Sequence, residues 1–184
     1  SAASDVYKRQ ILENMKTKKT LFCLMASVAG MFICSDMMAQ EQASHFMEQE
    51  ISRESWTVTA SGFRNNGQAP EKALDGKTNT RWTTGFFQKG DEWIRLDLGA
   101  QKSFNEIELF QANSVKDYPR GYEVYVSKDG ENWGEPVAKG TGTEGQATII
   151  RLSKKVSARY LKVKQTGTAE GNWWSLHELY LRNK

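Results

Sequence analysis

Past residue 39 the chain has no cysteine, because the two it holds, Cys23 and Cys34, both fall near the start. A thiol nucleophile and a disulfide framework are therefore excluded from the body of the protein. Histidine is almost as scarce, with only His45 and His177, and no serine motif accompanies either to build a Ser-His-Asp triad. No apolar run reaches the roughly 20 residues that span a bilayer as a helix. An excess of one charge is missing too. From Gln40 onward 20 Lys and Arg face 19 Asp and Glu, a net of +1, and no strong cationic patch stands out, which argues against nucleic acid as a partner. After residue 56 no segment sustains an apolar stripe of helical period over three turns.

What is present begins with a targeting pattern. Residues 15–39, "MKTKKTLFCLMASVAGMFICSDMMA", combine a basic start, an apolar run from Leu21 to Cys34 and a small residue at Ala39. This is the layout of a secretory signal peptide cleaved after Ala39, leaving no membrane-spanning segment in the mature form. A lipid on Cys34 is the alternative, disfavoured by the bulk of Phe32 and Ile33. Residues 1–14 fit no targeting pattern and read as a non-native or misassigned leader. Secretion without a disulfide points to a bacterial protein that is secreted, periplasmic or on the cell surface, with a metal able to do the crosslinking instead.

All six tryptophans lie at or after Trp56, so residues 53–184 form the folded body and 40–52 a polar, flexible lead-in. Strand-length segments rich in β-branched and aromatic residues follow: "WTVTA" at 56, "EWIRLDLG" at 92, "FNEIELF" at 104, "GYEVYVS" at 121, "ATIIRL" at 147, "RYLKVKQT" at 159 and "HELYLR" at 177. Gly, Asn and Asp separate them, as at Asp129-Gly130 and Gly140-Thr141-Gly142. Short strands at this spacing predict an all-β antiparallel sandwich.

One polar stretch is too dense in specific chemistry for an idle loop. "ALDGKTNTRW", residues 73–82, puts the Asp75-Gly76 turn just ahead of Thr78, Asn79 and Thr80, then Arg81-Trp82. Further on come Leu96-Asp97-Leu98-Gly99, Tyr122-Glu123-Val124-Tyr125-Val126-Ser127, Asp129-Gly130, Trp133, Ala158-Arg159-Tyr160-Leu161 and Glu178. In this order the landmarks resemble the coagulation factor 5/8 type C, or discoidin, domain in its bacterial form, the family 32 carbohydrate-binding modules. The resemblance covers about residues 53–184. It implies a galactose-binding-like jelly roll of about eight antiparallel strands that binds glycans through loops at one end and is not known as a catalytic scaffold.

It also implies that residues 73–82 form a structural calcium loop. Ca²⁺ takes six to eight hard oxygens from a sharply bent loop. Asp75 offers a carboxylate, Gly76 the bend, and Thr80 a hydroxyl and a carbonyl. By resemblance the carbonyls of Ala73 and Lys77 and the carboxylate of Glu178 complete the shell. Taken alone, the same residues also describe a plain Asp-Gly turn with threonines capping the backbone. Trp82 is expected as a buried anchor, with Arg81 paired to a carboxylate such as Asp97.

Sugars present apolar C–H faces and rings of hydroxyls, which exposed aromatics and a few polar groups recognise. Three loops offer this chemistry. Residues 83–91 hold Phe86 and Phe87, residues 111–122 hold Asn113, Tyr118 and Arg120, and residues 168–178 hold Asn172, Trp173 and Trp174. Adjacent residues of an extended segment face opposite ways, so one indole enters the core and the other the rim. Trp173 is the first choice for the rim and Trp174 the second. Galactose-binding members carry a His and an Arg where this chain has Thr83 or Thr84 and Gln111, so galactose-type specificity is not implied.

Glu106 and Glu108 share one face of a strand about 7 Å apart by strand rise, near the separation of about 6.5–9.5 Å used by inverting glycosidases. Their alternation with Ile107 and Leu109 more simply describes a solvent-facing strand surface. The reading is a non-catalytic module whose partner is a glycan or polysaccharide, alongside a catalytic domain in a larger architecture. An adhesion module of discoidin type, or an accessory fragment of a larger glycoside hydrolase, is the alternative.

Overall fold

A computed structural model describes residues 50–184. The leader, the signal segment with Cys34, and His45 lie outside the described residues. Eight strands follow in order: β1 Thr57–Ala60, β2 Trp82–Thr83, β3 Trp93–Phe110, β4 Tyr122–Ser127, β5 Ala138–Gly140, β6 Ala147–Gln165, β7 Ser175–Leu176 and β8 Glu178–Arg182. Every ladder between them is antiparallel. One sheet runs β1-β3-β6-β4-β5 with β8 also on β3, and β2 pairs with β7 separately. Among the described residues no helix is long and apolar enough to cross a membrane.

The sequence predicts separate strands at 92 and 104 and again at 147 and 159. In the structure each pair is one long strand, of 18 and 19 residues. The β3–β6 ladder persists through register shifts between Asp97 and Lys102 and between Phe104 and Glu106. Exposed Gln101, Lys154 and Lys155 break the apolar alternation there without ending the pairing. Irregularities of this kind bend strands, so one strand can serve two layers. The first half of β3 pairs with β1 and the second with β8, and residues from both halves enter a single core. Ile94, Leu96 and Leu98 meet Phe104, Ile107 and Leu109 there, together with Leu161, Val163, Leu176, Leu179 and Leu181.

Trp82 of β2 and Trp174, just ahead of β7, are fully buried in this core. Their ring centroids lie 4.9 Å apart at 78°, the edge-to-face arrangement that aromatic quadrupoles favour. The Trp82 indole N–H donates to the Gly62 carbonyl at 3.0 Å, so burying this ring leaves no polar atom unpaired. The anchor expected at Trp82 is in place.

Glu106 is not solvent-facing as its pattern suggested. β8 covers it, leaving it 3% exposed, and Arg182, Lys184 and Arg151 surround its carboxylate at 3.5, 2.8 and 3.3 Å. Arg182 also pairs with Glu108. The two carboxylates are thus held by cations within a structural network.

The folded unit extends from Ile51 to Lys184. The Ile51 N–H donates to the Leu181 carbonyl at 2.9 Å, so the end of the lead-in lies against β8. Replacing a fully buried indole by a methyl group costs about 3–5 kcal/mol. We expect Trp82→Ala to lower unfolding stability by that amount in urea titrations. A loss below about 1 kcal/mol, against the usual cost of a core cavity, would show that the indole pair does not hold the core.

Candidate functional site

The loop after the Pro70–Ala73 3-10 turn gathers oxygen atoms. Ala73 is fully buried and Gly76 turns the chain at φ 75°, a left-handed conformation that disfavours a side chain. The Asp75 carboxylate accepts from the Lys77 N–H at 3.0 Å and lies 2.8 and 2.9 Å from the Thr80 hydroxyl, which is also 3.0 Å from the Lys77 carbonyl. Glu178, first residue of β8, is fully buried. One of its oxygens pairs with Arg53, and the other, Oε1, has no hydrogen-bond partner among the described residues. Burial pushes its carboxyl up to about 7; the Arg53 charge and hydrogen bond pull the other way, the Asp75 charge adds to the rise, and the nearby Lys77 backbone N–H offsets a little of it. A buried carboxylate with an unused oxygen beside a second acid costs free energy unless a cation or proton satisfies it. Among the described residues no group of three or more His, Cys, Asp or Glu could hold a metal ion; what this loop and β8 bring together is two carboxylates, a hydroxyl and backbone carbonyls.

His177 ties this loop to the next. Its Nδ1 lies 2.8 Å from the Thr78 carbonyl and its Nε2 3.0 Å from the Ser114 hydroxyl. A carbonyl only accepts, so Nδ1 carries the proton, and in the neutral ring Nε2 accepts from Ser114. Burial holds the imidazole below its ordinary pKa, in keeping with that neutral form. Arg81 donates to the same Ser114 oxygen and reaches Asp117 at 3.9 Å. Its carboxylate partner is therefore Asp117 and not Asp97, which Arg159 holds through two bonds of 2.9 Å. Although Ser114 and His177 are in contact, the far ring nitrogen meets a carbonyl where a triad needs a carboxylate.

At the rim the two neighbouring indoles separate as strand geometry requires. Trp174 is 0% exposed, which removes it from the ligand candidates because both ring faces lie against protein. Trp173 is half-buried, with the Arg64 guanidinium 4.8 Å from its ring centre. Phe86 and Phe87 are 39% and 51% exposed, and Phe63 is 46% exposed. Gly85 has φ 75°, and a Cβ there would come within 2.6 Å of the Arg64 side chain, so the two loops touch where only glycine fits. Asn113 is exposed; Tyr118 and Asn172 are half-buried.

Arg120 is already engaged. Its guanidinium donates to the carbonyls of Tyr118 and Lys116 and to Asn172 Oδ1, at 3.0, 3.1 and 3.1 Å, and lies 3.8 Å from the Tyr118 ring centre. It joins two loops of the rim. Thr83, Thr84 and Gln111, the residues at the galactose-type positions, are all buried and present nothing to a ligand.

Sequence reasoning missed the residue that holds the rim together. Gln88, 3% exposed, donates through Nε2 to the carbonyls of Tyr118 and Trp173 at 3.0 and 2.8 Å. Its Oε1 accepts from the Arg120 N–H at 3.1 Å. One amide thus fastens all three candidate loops. Nothing in its local sequence marks it, since each partner comes from a distant segment. Phe63 and Arg64 were also missed, although an aromatic and a cation in the Gly/Asn-rich "SGFRNNG" turn give the same compositional signal as Phe86-Phe87. We expect Gln88→Leu to leave two backbone groups, the Trp173 carbonyl and the Arg120 N–H, without partners, since Arg120 still donates to the Tyr118 carbonyl, and to destabilise by about 2–4 kcal/mol, with faster amide exchange at Arg120. Unchanged melting and exchange would refute this role.

The model of the F5/8 type C domain matches residues 57–179. The chain is similar to galactose oxidase of Gibberella zeae, 29% identical over 140 residues that take in 73% of this chain and 20% of that enzyme. It therefore spans about a fifth of that relative's length. Among solved structures it is similar to chitosan-binding module 1 of the chitosanase/glucanase from Paenibacillus sp. IK-5, with 27% identity, a TM-score of 0.60 and coverage of 71% of this chain and 97% of that one. It shares its fold with CpGH89CBM32-5 from Clostridium perfringens, solved with GalNAc-β-1,3-galactose, at 22% identity, a TM-score of 0.62 and coverage of 72% and 99%. The matched landmarks, the antiparallel sandwich and the loop cluster at its end agree, and the chain belongs to the F5/8 type C domain family.

Proposed function

We propose that residues 51–184 are a non-catalytic carbohydrate-binding module whose sugar contacts lie on the rim formed by loops 61–65, 83–91, 111–122 and 168–174. The observation that carries this reading is the half-buried Trp173 ring against the Arg64 guanidinium, on loops that Gln88 joins to the segment carrying exposed Phe86 and Phe87 and that Arg120 also links. An aromatic platform with polar neighbours on a fixed scaffold suits the mixed surface of a sugar. Asn113, Tyr118 and Asn172 supply the polar groups of this site. The similarity to a chitosan-binding module and to a module solved with GalNAc-β-1,3-galactose supports amino-sugar glycans as the first class to test. The chain's small share of its longer relative supports an accessory role beside a catalytic domain, and residues 15–39 support export to the periplasm, cell surface or medium.

A glycan array probed with residues 40–184 tests this directly. Trp173→Ala should weaken sugar binding by about tenfold, the loss of one stacking platform, while leaving the melting temperature near that of wild type. Full retention of binding in that variant would overturn the rim assignment.

The same reading places a structural Ca²⁺ among the Ala73 and Lys77 carbonyls, Asp75, Thr80 and Glu178, where the unused Glu178 oxygen and the all-oxygen donor set fit a hard cation. When bound, the ion would crosslink the 73–80 loop to β8. Chelation should lower the melting temperature, because a ligand held only by the folded state stabilises it. The pH dependence has a definite sign. Without the ion, the raised Glu178 pKa stabilises the fold fully below its ordinary 4.5, and this contribution is lost as pH rises through about 7. With the ion the carboxylate is ionised throughout, so the destabilisation caused by chelator should grow across that window. A chelator effect that is absent, or flat with pH, would count against the site.

A further inference from the structure

The outward face of β1-β3-β6-β4-β5 carries chemistry that neither the rim nor the 73–80 loop uses. Arg95 on β3 stands directly opposite Lys162 on β6, and Lys162 stands opposite Tyr125 on β4. Two residues along β6, Lys164 lies between Trp93 and Glu123, and two residues the other way Tyr160 lies opposite Asp97. Trp133, from the loop between β4 and β5, joins this face. Its ring centre is 4.5 Å from Lys162 Nζ and 5.3 Å from the Arg95 guanidinium. The Tyr160 ring lies 5.2 Å from Arg95 and the Tyr125 ring 5.0 Å from Lys162. Arg95, Tyr125, Trp133, Tyr160, Lys162 and Lys164 are all partly exposed.

Like charges directly opposite each other on antiparallel strands destabilise a sheet. The described residues form no ion pair with Arg95, Lys162 or Lys164, because the carboxylates of this face are engaged by other cations. Arg159 holds Asp97, and Lys139 holds Glu123 at 3.0 Å. Glu123 also accepts from the Tyr125 hydroxyl at 2.6 Å and lies within the field of Lys164, and Glu135 adds negative charge near that hydroxyl. Burial first, then the charges of Arg95 and Lys164, hold the Lys162 ammonium below its ordinary pKa. Electron-rich ring faces offset part of this repulsion without cancelling the charge. Lys164 has the Glu123 charge opposite it, but an isolated fold gains nothing from Arg95 and Lys162 side by side, whereas an anion lying across them would relieve the repulsion.

We propose that this face is a second carbohydrate site, one that takes uronate residues of an acidic polysaccharide. The carboxylate would lie across Arg95, Lys162 and Lys164, and the apolar sugar faces against Trp133 and Tyr160. A planar guanidinium suits a carboxylate, and aromatic rings suit pyranose faces. Nucleic acid fits less well, since it demands a longer cationic track and the chain from Gln40 onward has a net charge of only +1. The site stands apart from the rim, so this inference does not depend on the rim reading.

Calorimetric titration with a mannuronate hexasaccharide, at low and at raised NaCl concentration, tests the proposal. Wild-type protein should bind it, more weakly as salt rises. Arg95→Gln combined with Lys162→Gln should weaken binding by about tenfold, and Lys164→Gln, which touches no ring, by about threefold with an unchanged melting curve. Trp173→Ala should leave hexasaccharide binding intact. No binding by wild-type protein, or wild-type affinity in both Gln variants, would overturn the proposal. So would loss of uronate binding in Trp173→Ala, which would move the carboxylate to the rim. A single-stranded DNA oligomer that outcompetes the hexasaccharide on the same residues would replace the acidic glycan with nucleic acid.

Discussion

The edge-to-face contact between Trp82 and Trp174 governs the arrangement of the binding end. It joins β2 to the segment entering β7, and the ladder between those strands is only two residues long, too short to persist on hydrogen bonds alone. With Trp174 drawn into the core, the alternation of an extended chain turns Trp173 outward. The same contact sets the spacing of the surrounding loops, since Arg81 precedes Trp82, the Thr84 N–H donates to the Trp174 carbonyl at 3.0 Å, and His177 and Glu178 follow β7. One buried pair thereby positions a surface ring, an arginine network and a buried acid.

Much of the fold is written locally and can be read there. Alternating apolar residues in β3, β4 and β6 name the strands and their inward faces, and Asp-Gly pairs mark turns. What cannot be read locally is whether a polar interruption ends a strand. Gln101, Lys154 and Lys155 look like loop residues, yet the β3–β6 ladder passes them because hydrogen bonding between backbones is indifferent to side-chain polarity. Glu106 is misread for a related reason: its neighbours in sequence describe an open face, and the strand that closes it, β8, lies some seventy residues on.

The candidate site divides along the same line. The exposed aromatics and the opposite orientation of Trp173 and Trp174 follow from composition and strand geometry. The partners of Arg81 and Arg120 do not, because a guanidinium reaches whichever acceptor the fold brings near. Arg120 carries the appearance of a ligand residue in sequence and acts as a clamp in space, whereas Gln88 carries no signal at all and makes three bonds between loops. Polar residues that hold loops together are the hardest to foresee, since their role is defined wholly by contacts distant in sequence.

The pairing of Ile51 with Leu181 has an architectural meaning. Residue 51, where the folded unit begins, is hydrogen-bonded to Leu181 near the end of the last strand. Whatever lies on either side in a longer polypeptide is thus delivered almost to the same point, and the module would hang from its parent like a pendant on a ring. A body whose beginning and end meet in this way would add little length to such a polypeptide.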